Sequence, residues 1–388
     1  MNAIRESQLR ALARLEAFPS LSILFPLEGG GAPGRPDLVR LRNALRAAGD
    51  ELARAGVPPA EGEALLAAAG ALAENDGFWM APAGGAALYA APGFFRPVRV
   101  GLELPELVYV GRRFVVRPLL PWLARPGLVY VLALSRKRVR LLETDAEGTR
   151  RLELPGLPAS FVAAVGELQY HSAVQAHTGT PSALGRRSAI FHGHGDGDEE
   201  HFEADIASFC RRVTETLEEK LPEPDAPVVL AAVTEYTPIF RRAARRLRLL
   251  AETVMGNPDS ISDAELGAAA RRLAAAERGR EVERELERWS ELRAGGRAVD
   301  ELAPVVAAAE EGRVETLFLA REAERWGSYE PDLRRLVVHE RREPGDEELL
   351  DRAAARTLAQ GGDVHAVAHT AMPEGRIAVA ILRFAAPA

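Results

Sequence analysis

The sequence predicts an α+β, multi-domain protein, and three observations predict it. Its 388 residues suffice for two or three domains of ~100–200 residues each. A content of 47% apolar and 27% charged residues is that of a folded chain. The hydrophobic period changes along the sequence, from helical spacing to strand spacing and then to an alternation of the two. The expected division is a mixed α/β unit at 1–125, a central α/β unit at 126–222 with a long apical loop at 170–200, and an α/β sandwich at 223–388.

In the first segment Leu9, Leu12, Leu15 and Phe18 recur at helical spacing and predict a helix over 7–18. A Gly/Pro-rich break at 29–36 follows. Leu38, Leu41, Leu45 and Leu52 predict a second helix, and 61–74 a third. From Gly77 short apolar runs stand between Gly and Pro, the signature of strands, at 78–80, 86–90, 97–100, 107–110 and 114–116.

In the central segment 128–134 and 139–142 read as two strands joined by the charged turn Ser135-Arg136-Lys137-Arg138. The turn at 145–148 leads to a third strand at 150–154. The stretch 170–200 is poor in apolar residues, rich in His, Gly, Ser and Thr, and longer than ordinary connections. Phe202, Ile206, Phe209, Val213 and Leu217 then fall on one helical face, with the helix running from Glu200 to Lys220 and stopped by Pro222.

The third segment opens with 228–233, an apolar run of the buried parallel-sheet kind. A helix over 239–250 would carry Arg241, Arg242, Arg245, Arg246 and Arg248 on one basic face. Ser262-Asp263-Ala264-Glu265 is a capping box for a long helix ending near Leu292. Helices at 299–311 and 347–359 alternate with strands at 314–320, 364–369 and 377–384, so a mostly parallel sheet is expected.

Composition narrows the function classes. One cysteine, Cys210, leaves neither an internal disulfide nor a thiolate cluster, so a reducing compartment is expected, with the cytoplasm as the default. No apolar run reaches the ~20 residues that span a bilayer, and 1–14 lacks the apolar region of a secretory signal. A net charge of −7 argues against coating nucleic acid by bulk electrostatics, though not against a local basic patch. All but two of the 49 basic residues are arginine, a composition bias that weakens arginine abundance as a sign of phosphate binding.

The stretch Phe191-His192-Gly193-His194-Gly195-Asp196-Gly197-Asp198-Glu199-Glu200-His201 is the most distinctive chemically. Its glycines allow close approach of backbone to a partner. Its imidazoles and carboxylates admit an alternative reading, a metal-dependent hydrolase or nuclease with His192, His194 and His201 as ligands beside Asp196. A flexible His-x-His fixes no geometry by itself, and the favoured reading is a metal-free functional tip. His365 and His369 lie on one face of a strand and read as structural. P-loop, dinucleotide and nucleophile-elbow signatures are absent, and Cys210, inside an amphipathic helix, reads as a core residue. Arg136, Lys137 and Arg138, with Arg241, Arg242, Arg245 and Arg246, are the phosphate-competent groups. Trp79, Phe94 and Phe95 read as core or domain-interface aromatics rather than a base-stacking platform.

The order of these parts resembles the archaeo-eukaryotic peptide-chain release factors and their Pelota-like rescue relatives, and most of all their diverged bacterial branch. The run from Tyr130-Val131-Leu132 through the Ser135–Arg138 turn to Leu141-Leu142 looks like the opening hairpin of that family's central domain. The segments 228–233, 312–320 and 361–384 resemble its last domain, which is similar to kink-turn-binding ribosomal proteins. The resemblance implies a tRNA-shaped, ribosome-associated factor of the rescue, release or hibernation type. Its expected partners are ribosomal RNA, ribosomal proteins and a translational GTPase, with no cofactor and no membrane. The family's Gly-Gly-Gln tip corresponds here to His192, Gly193, His194, Gly195, Asp196 and Gly197. No glutamine stands there, and Gln169 and Gln175 lie well upstream. Peptidyl-tRNA hydrolysis thus has no assigned catalytic residue, and His194 and Asp196 are the candidates for orienting water. A plain protein–protein adaptor is the remaining alternative.

Overall fold

The computed structural model describes residues 4–28, 35–79, 83–123, 127–146, 148–164 and 196–385. It is 44% helix and 27% strand, the mixed class expected. Packing follows different lines from the three sequence segments. One compact unit joins 1–125 to 281–388, and the other is 126–280.

The first unit is built on an antiparallel sheet of order β3-β2-β1-β4, with β1 Glu16–Leu27, β2 Gly84–Ala91, β3 Phe94–Val100 and β4 Leu107–Arg113. The helix expected over 7–18 is shorter: α1 spans Glu6–Arg14 and the chain turns directly into β1. Leu21, Ile23, Phe25 and Leu27 of β1 face the amphipathic helices α2 (Arg35–Arg54) and α3 (Pro59–Gly70), while Leu24 joins the core on the other face. Burial runs unbroken from Pro19 to Phe25, but Ser20, Ser22 and the prolines interrupt the apolar residues of β1, so hydrophobic periodicity alone does not reveal it. The strands expected at 78–80 and 114–116 do not form among the described residues. Asp76–Trp79 is a helical turn, with the Trp79 indole donating to the Leu72 carbonyl at 2.8 Å.

The core beyond β1 is continuous with the C-terminal part of the chain. Leu9 and Leu12 of α1, Tyr89 of β2, Val305 of α7 (Leu302–Glu310) and Leu350 of α8 (Leu349–Ala359) belong to one cluster with β11 (Val314–Ala320) and β16 (Ala378–Leu382). The C-terminal sheet has order β10-β16-β11-β15, with β10 Ala298–Val299 and β15 Asp363–Val367. Only β11 and β15 run parallel; β16 is antiparallel to both β10 and β11, so the mostly parallel sheet expected here is not what forms. The chain returns from β15 through short turns at 369–375, too little for the helical crossover a parallel strand needs. A second small sheet, of order β13-β12-β14, holds the hairpin β12 (Trp326–Glu330) and β13 (Arg335–His339) with β14 (Glu347–Glu348). Sequence reading missed that hairpin.

The unit 126–280 is a five-stranded sheet of order β7-β6-β5-β8-β9, with β5 Val129–Leu134, β6 Val139–Thr144, β7 Thr149–Arg151, β8 Val228–Ala232 and β9 Val254–Met255. β5 and β8 pair in parallel from Tyr130↔Val228 to Leu134↔Ala232. The apolar run at 228–233 therefore completes the sheet of the central segment, because both faces of β8 need a cover that this sheet supplies. One face carries α4 (Asp196–Lys220) and α5 (Tyr236–Ala243). The other carries Leu266, Ala270 and Ala274 of α6 (Asp263–Leu292). The capping box stands as expected, Glu265 N donating to Ser262 Oγ at 3.3 Å and Ser262 N to Glu265 Oε2 at 3.0 Å.

Candidate functional site

The carboxyl ends of parallel strands leave open backbone groups and converging loops, the usual place for a site in such sheets. In this unit that end carries the β5–β6 turn. Ser135 Oγ accepts from the Lys137 and Arg138 amides at 3.2 and 3.0 Å and donates to Asp259 Oδ2 at 2.8 Å. Because Asp259 also stands 3.7 Å from Arg138 Nε, the turn is held from outside the hairpin. Arg136, Lys137 and Arg138 are all exposed.

Behind the turn, the buried Arg140 bonds Asp263 and the carbonyls of Pro258 and Ile261. Burial would raise the Asp263 carboxyl, but the guanidiniums of Arg151 and Arg140 outweigh it and hold it below the ordinary aspartate range. The turn thus rests on a fixed, fully ionised base.

The described chain on the upstream side of 165–195 packs beside this turn. Phe161 and Ala164 on that side and Ile206 and Phe209 of α4 on the downstream side share one core. Phe161 and Phe209 meet edge to face at 5.5 Å, and the Arg136 guanidinium lies over the Phe161 ring at 5.9 Å. The helix begins at Asp196, four residues before the expected Glu200, and runs to Lys220. Ile206 is the first of its described side chains to enter the core, and about 15 Å of helical backbone separates it from Asp196. β5 and β8 span only about 17–20 Å. His192, Gly193, His194 and Gly195 lie outside the described residues, as do Gln169 and Gln175. Asp196 and Gly197 form the first helical positions of α4, and His201 follows on the same helix.

The second basic grouping lies at the other end of the sheet. α5 ends at Ala243, and the chain then runs alongside the start of β8: Val228 N donates to Arg248 O and Leu250 N to Val228 O, both at 2.9 Å. The helix expected over 239–250 is therefore cut short, since Leu247 and Leu250 are buried by following the sheet edge. Arg241, Arg242, Arg245, Arg246 and Arg248 do not share one helical face. Arg241 caps the carbonyls of Leu250 and Ala251 at 2.9 and 2.6 Å. Arg246 pairs with Glu218 at 2.8 Å through Nε, while Arg242, Arg245 and Arg248 are exposed. The structure thus sets the two basic groups at opposite ends of β5 and β8.

Other sequence candidates fall into the core. Cys210 is fully buried, and burial pushes its thiol up to about 12, which removes it as a nucleophile. His365 stacks on Phe318 at 5.3 Å; β15 ends at Val367, so His369 sits in the following turn and the pair does not share a strand face. Phe94 packs on Phe114 at 5.6 Å. Among the described residues no group of three or more His, Cys, Asp or Glu side chains is arranged to hold a metal ion, and no helix is long and apolar enough to cross a membrane.

Sequence reading missed one holder of the turn, Asp259, and groups the other, Arg140, with the basic residues Arg136, Lys137 and Arg138. Only the Pro258-Asp259-Ser260 break and the capping box after it mark that neighbourhood in the sequence.

Residues 130–313 match the family model described as bacterial archaeo-eukaryotic release factor family 3, just under half of the chain. Over these residues the chain is similar to the bacterial branch of the archaeo-eukaryotic release factors. Solved structures similar to it include an archaeal translation termination factor, aRF1, at 16% identity and a TM-score of 0.23, covering 99% of both chains. Another is Archaeoglobus fulgidus Pelota, at 10% identity and a TM-score of 0.28, covering 99% of this chain and 94% of that one. A third is a ribosome-bound archaeal Pelota with ABCE1, at 13% identity and a TM-score of 0.37, covering 100% and 96%. No curated protein matches the sequence.

Proposed function

We propose that this chain is a ribosome-associated translation factor of the release, rescue or hibernation type. It occupies the ribosomal A site and directs the stretch His192–Gly197 at the peptidyl-transferase centre. The observation that carries the reading is the family match over 130–313, which spans the basic turn, α4 and the sheet that holds them. The length of α4 supports it, since the helix provides a stiff arm between the packed core and the apical stretch. The exposed Arg136, Lys137 and Arg138 supply phosphate contacts beside the base of that arm, and Arg242, Arg245 and Arg248 supply a second set at the far end. A translational GTPase is the proposed partner, and the cytoplasm the proposed location. The reading assigns binding to the apical stretch and no hydrolytic step, because the glutamine of the family's tip is missing.

The test uses the buried state of Cys210. G193C introduces one reactive thiol, to which an iron chelate that generates hydroxyl radicals is attached. Bound to ribosomes, the tethered protein should cleave large-subunit RNA around the peptidyl-transferase centre. Cleavage confined to the ribosome's outer surface, with binding intact, would rule out the A-site pose.

A further inference from the structure

In the unit formed by both chain ends, nine charged groups crowd around the start of α8, and they sort into two sets. In the outer set Glu16, Glu310 and Glu347 are matched by Arg113, Arg352 and Arg356. Arg352 Nε meets Glu310 at 2.7 Å, Arg356 Nε meets Glu310 at 2.8 Å, and Arg113 meets Glu16 and Glu347 at 3.2 and 3.5 Å. Three acids face three bases. The inner set does not balance. Glu348, the N-cap of α8, and Asp351, one turn on, are both buried; Arg113 and Arg352 line the same small cavity but pair with the outer acids, and among the described residues the guanidinium paired with this inner set is Arg117, whose Nε faces Glu348 Oε2 at 3.1 Å.

The same inner pair joins distant parts of the chain. Asp351 Oδ1 accepts from the backbone amides of Val116 and Arg117 at 2.7 and 2.6 Å, and its own amide donates to Glu348 Oε2 at 2.6 Å. The other titratable neighbours stay neutral at ordinary pH. Tyr89 from β2 is fully buried and donates to the Val115 carbonyl at 2.9 Å, and burial raises the hydroxyls of both Tyr89 and Tyr109.

We propose that Glu348 and Asp351 share one proton in the folded protein and so form a proton-linked latch, fastening the segment at 116–117 to the C-terminal helix. Two buried carboxylates beside one guanidinium leave one charge uncompensated, and proton uptake removes it far more cheaply than burying the extra anion. Burial raises both carboxyls, and Asp351 reaches about 7. The sign follows from linkage. The raised carboxyl favours the folded state when protonated, so its contribution is complete below about pH 4 and is lost as the pH rises toward 7. Between those two values opening of the latch grows about tenfold per pH unit, and above pH 7 it levels off. The segment at 116–117 is held tighter to α8 as the medium acidifies.

Full-length protein with 13C-labelled side-chain carboxyls is titrated from pH 4 to 9 by NMR, beside D351N and E348Q. One carboxyl should titrate near pH 7, disappear in D351N, and move down by at least one unit in E348Q, where Arg117 faces a single acid. The amide signals of Val116 and Arg117 should follow the same midpoint. If every carboxyl inflects below pH 5.5, or those amides do not move through the range, the latch is disproved. Should D351N fail to fold, the wild-type and E348Q titrations decide alone.

Discussion

Arg140 shows how a residue that reads as part of a basic surface becomes structural. The sequence sets it two positions beyond Arg136-Lys137-Arg138, with nothing to distinguish it from them. In the fold it points from β6 into the ground between β5 and α6, where Asp263 and two carbonyls await it. R140A leaves the Pro258 and Ile261 carbonyls without their donor and Asp263 with Arg151 alone, a loss of about 1–3 kcal/mol for unsatisfied buried acceptors. Urea unfolding should show that loss, whereas K137A, on the exposed turn, should stay within about 0.5 kcal/mol of wild type. Equal effects from the two would mean that Arg140 is not the anchor of the turn. Period and composition rank side chains by type, and the partner that buries an arginine is fixed only by strand pairing.

At the scale of elements, legibility followed how local the cause was. α6 was readable from its capping box to its end near Leu292, because both signals lie within a few residues of the helix termini. β11 was readable to the residue, as an apolar run between a glycine and a charged turn. The arginine-rich stretch at 239–250 was not, since a non-local partner, β8, takes half of its helical pattern into an edge pairing. β1 escaped notice because buried serines and two prolines break up its apolar pattern.

Gly267 on α6 makes the same point about distance. Helix propensity predicts that G267A should stabilise the protein by about 1 kcal/mol. A Cβ there, however, would stand 1.9 Å from Thr149 Oγ1 of β7, a side chain already bonded to Thr144 at 2.9 Å. The expected outcome is a loss of about 1–3 kcal/mol in thermal or urea unfolding. A gain would show that β7 yields easily and does not brace α6.

At the scale of the molecule, the chain is an end unit interrupted by 126–280. Linear reading cannot reveal that α1 shares a core with α8, because the two are more than three hundred residues apart; Arg10, bonded to Gly362 O at 2.8 Å and to Asp363 at 2.9 Å, is the local sign of that junction. The apical stretch expected from composition lies outside the described residues up to Gly195.

The central claim is that this factor binds ribosomes through phosphate contacts. Co-sedimentation of the full-length protein with ribosomes through sucrose gradients, at rising salt, tests it most directly. The protein should travel with ribosomal particles at low salt, leave them steeply as salt rises, and show a shallower salt slope when Arg136, Lys137 and Arg138 are neutralised. A protein that remains at the top of the gradient at low salt, from growing and from stressed cells alike, would contradict the account.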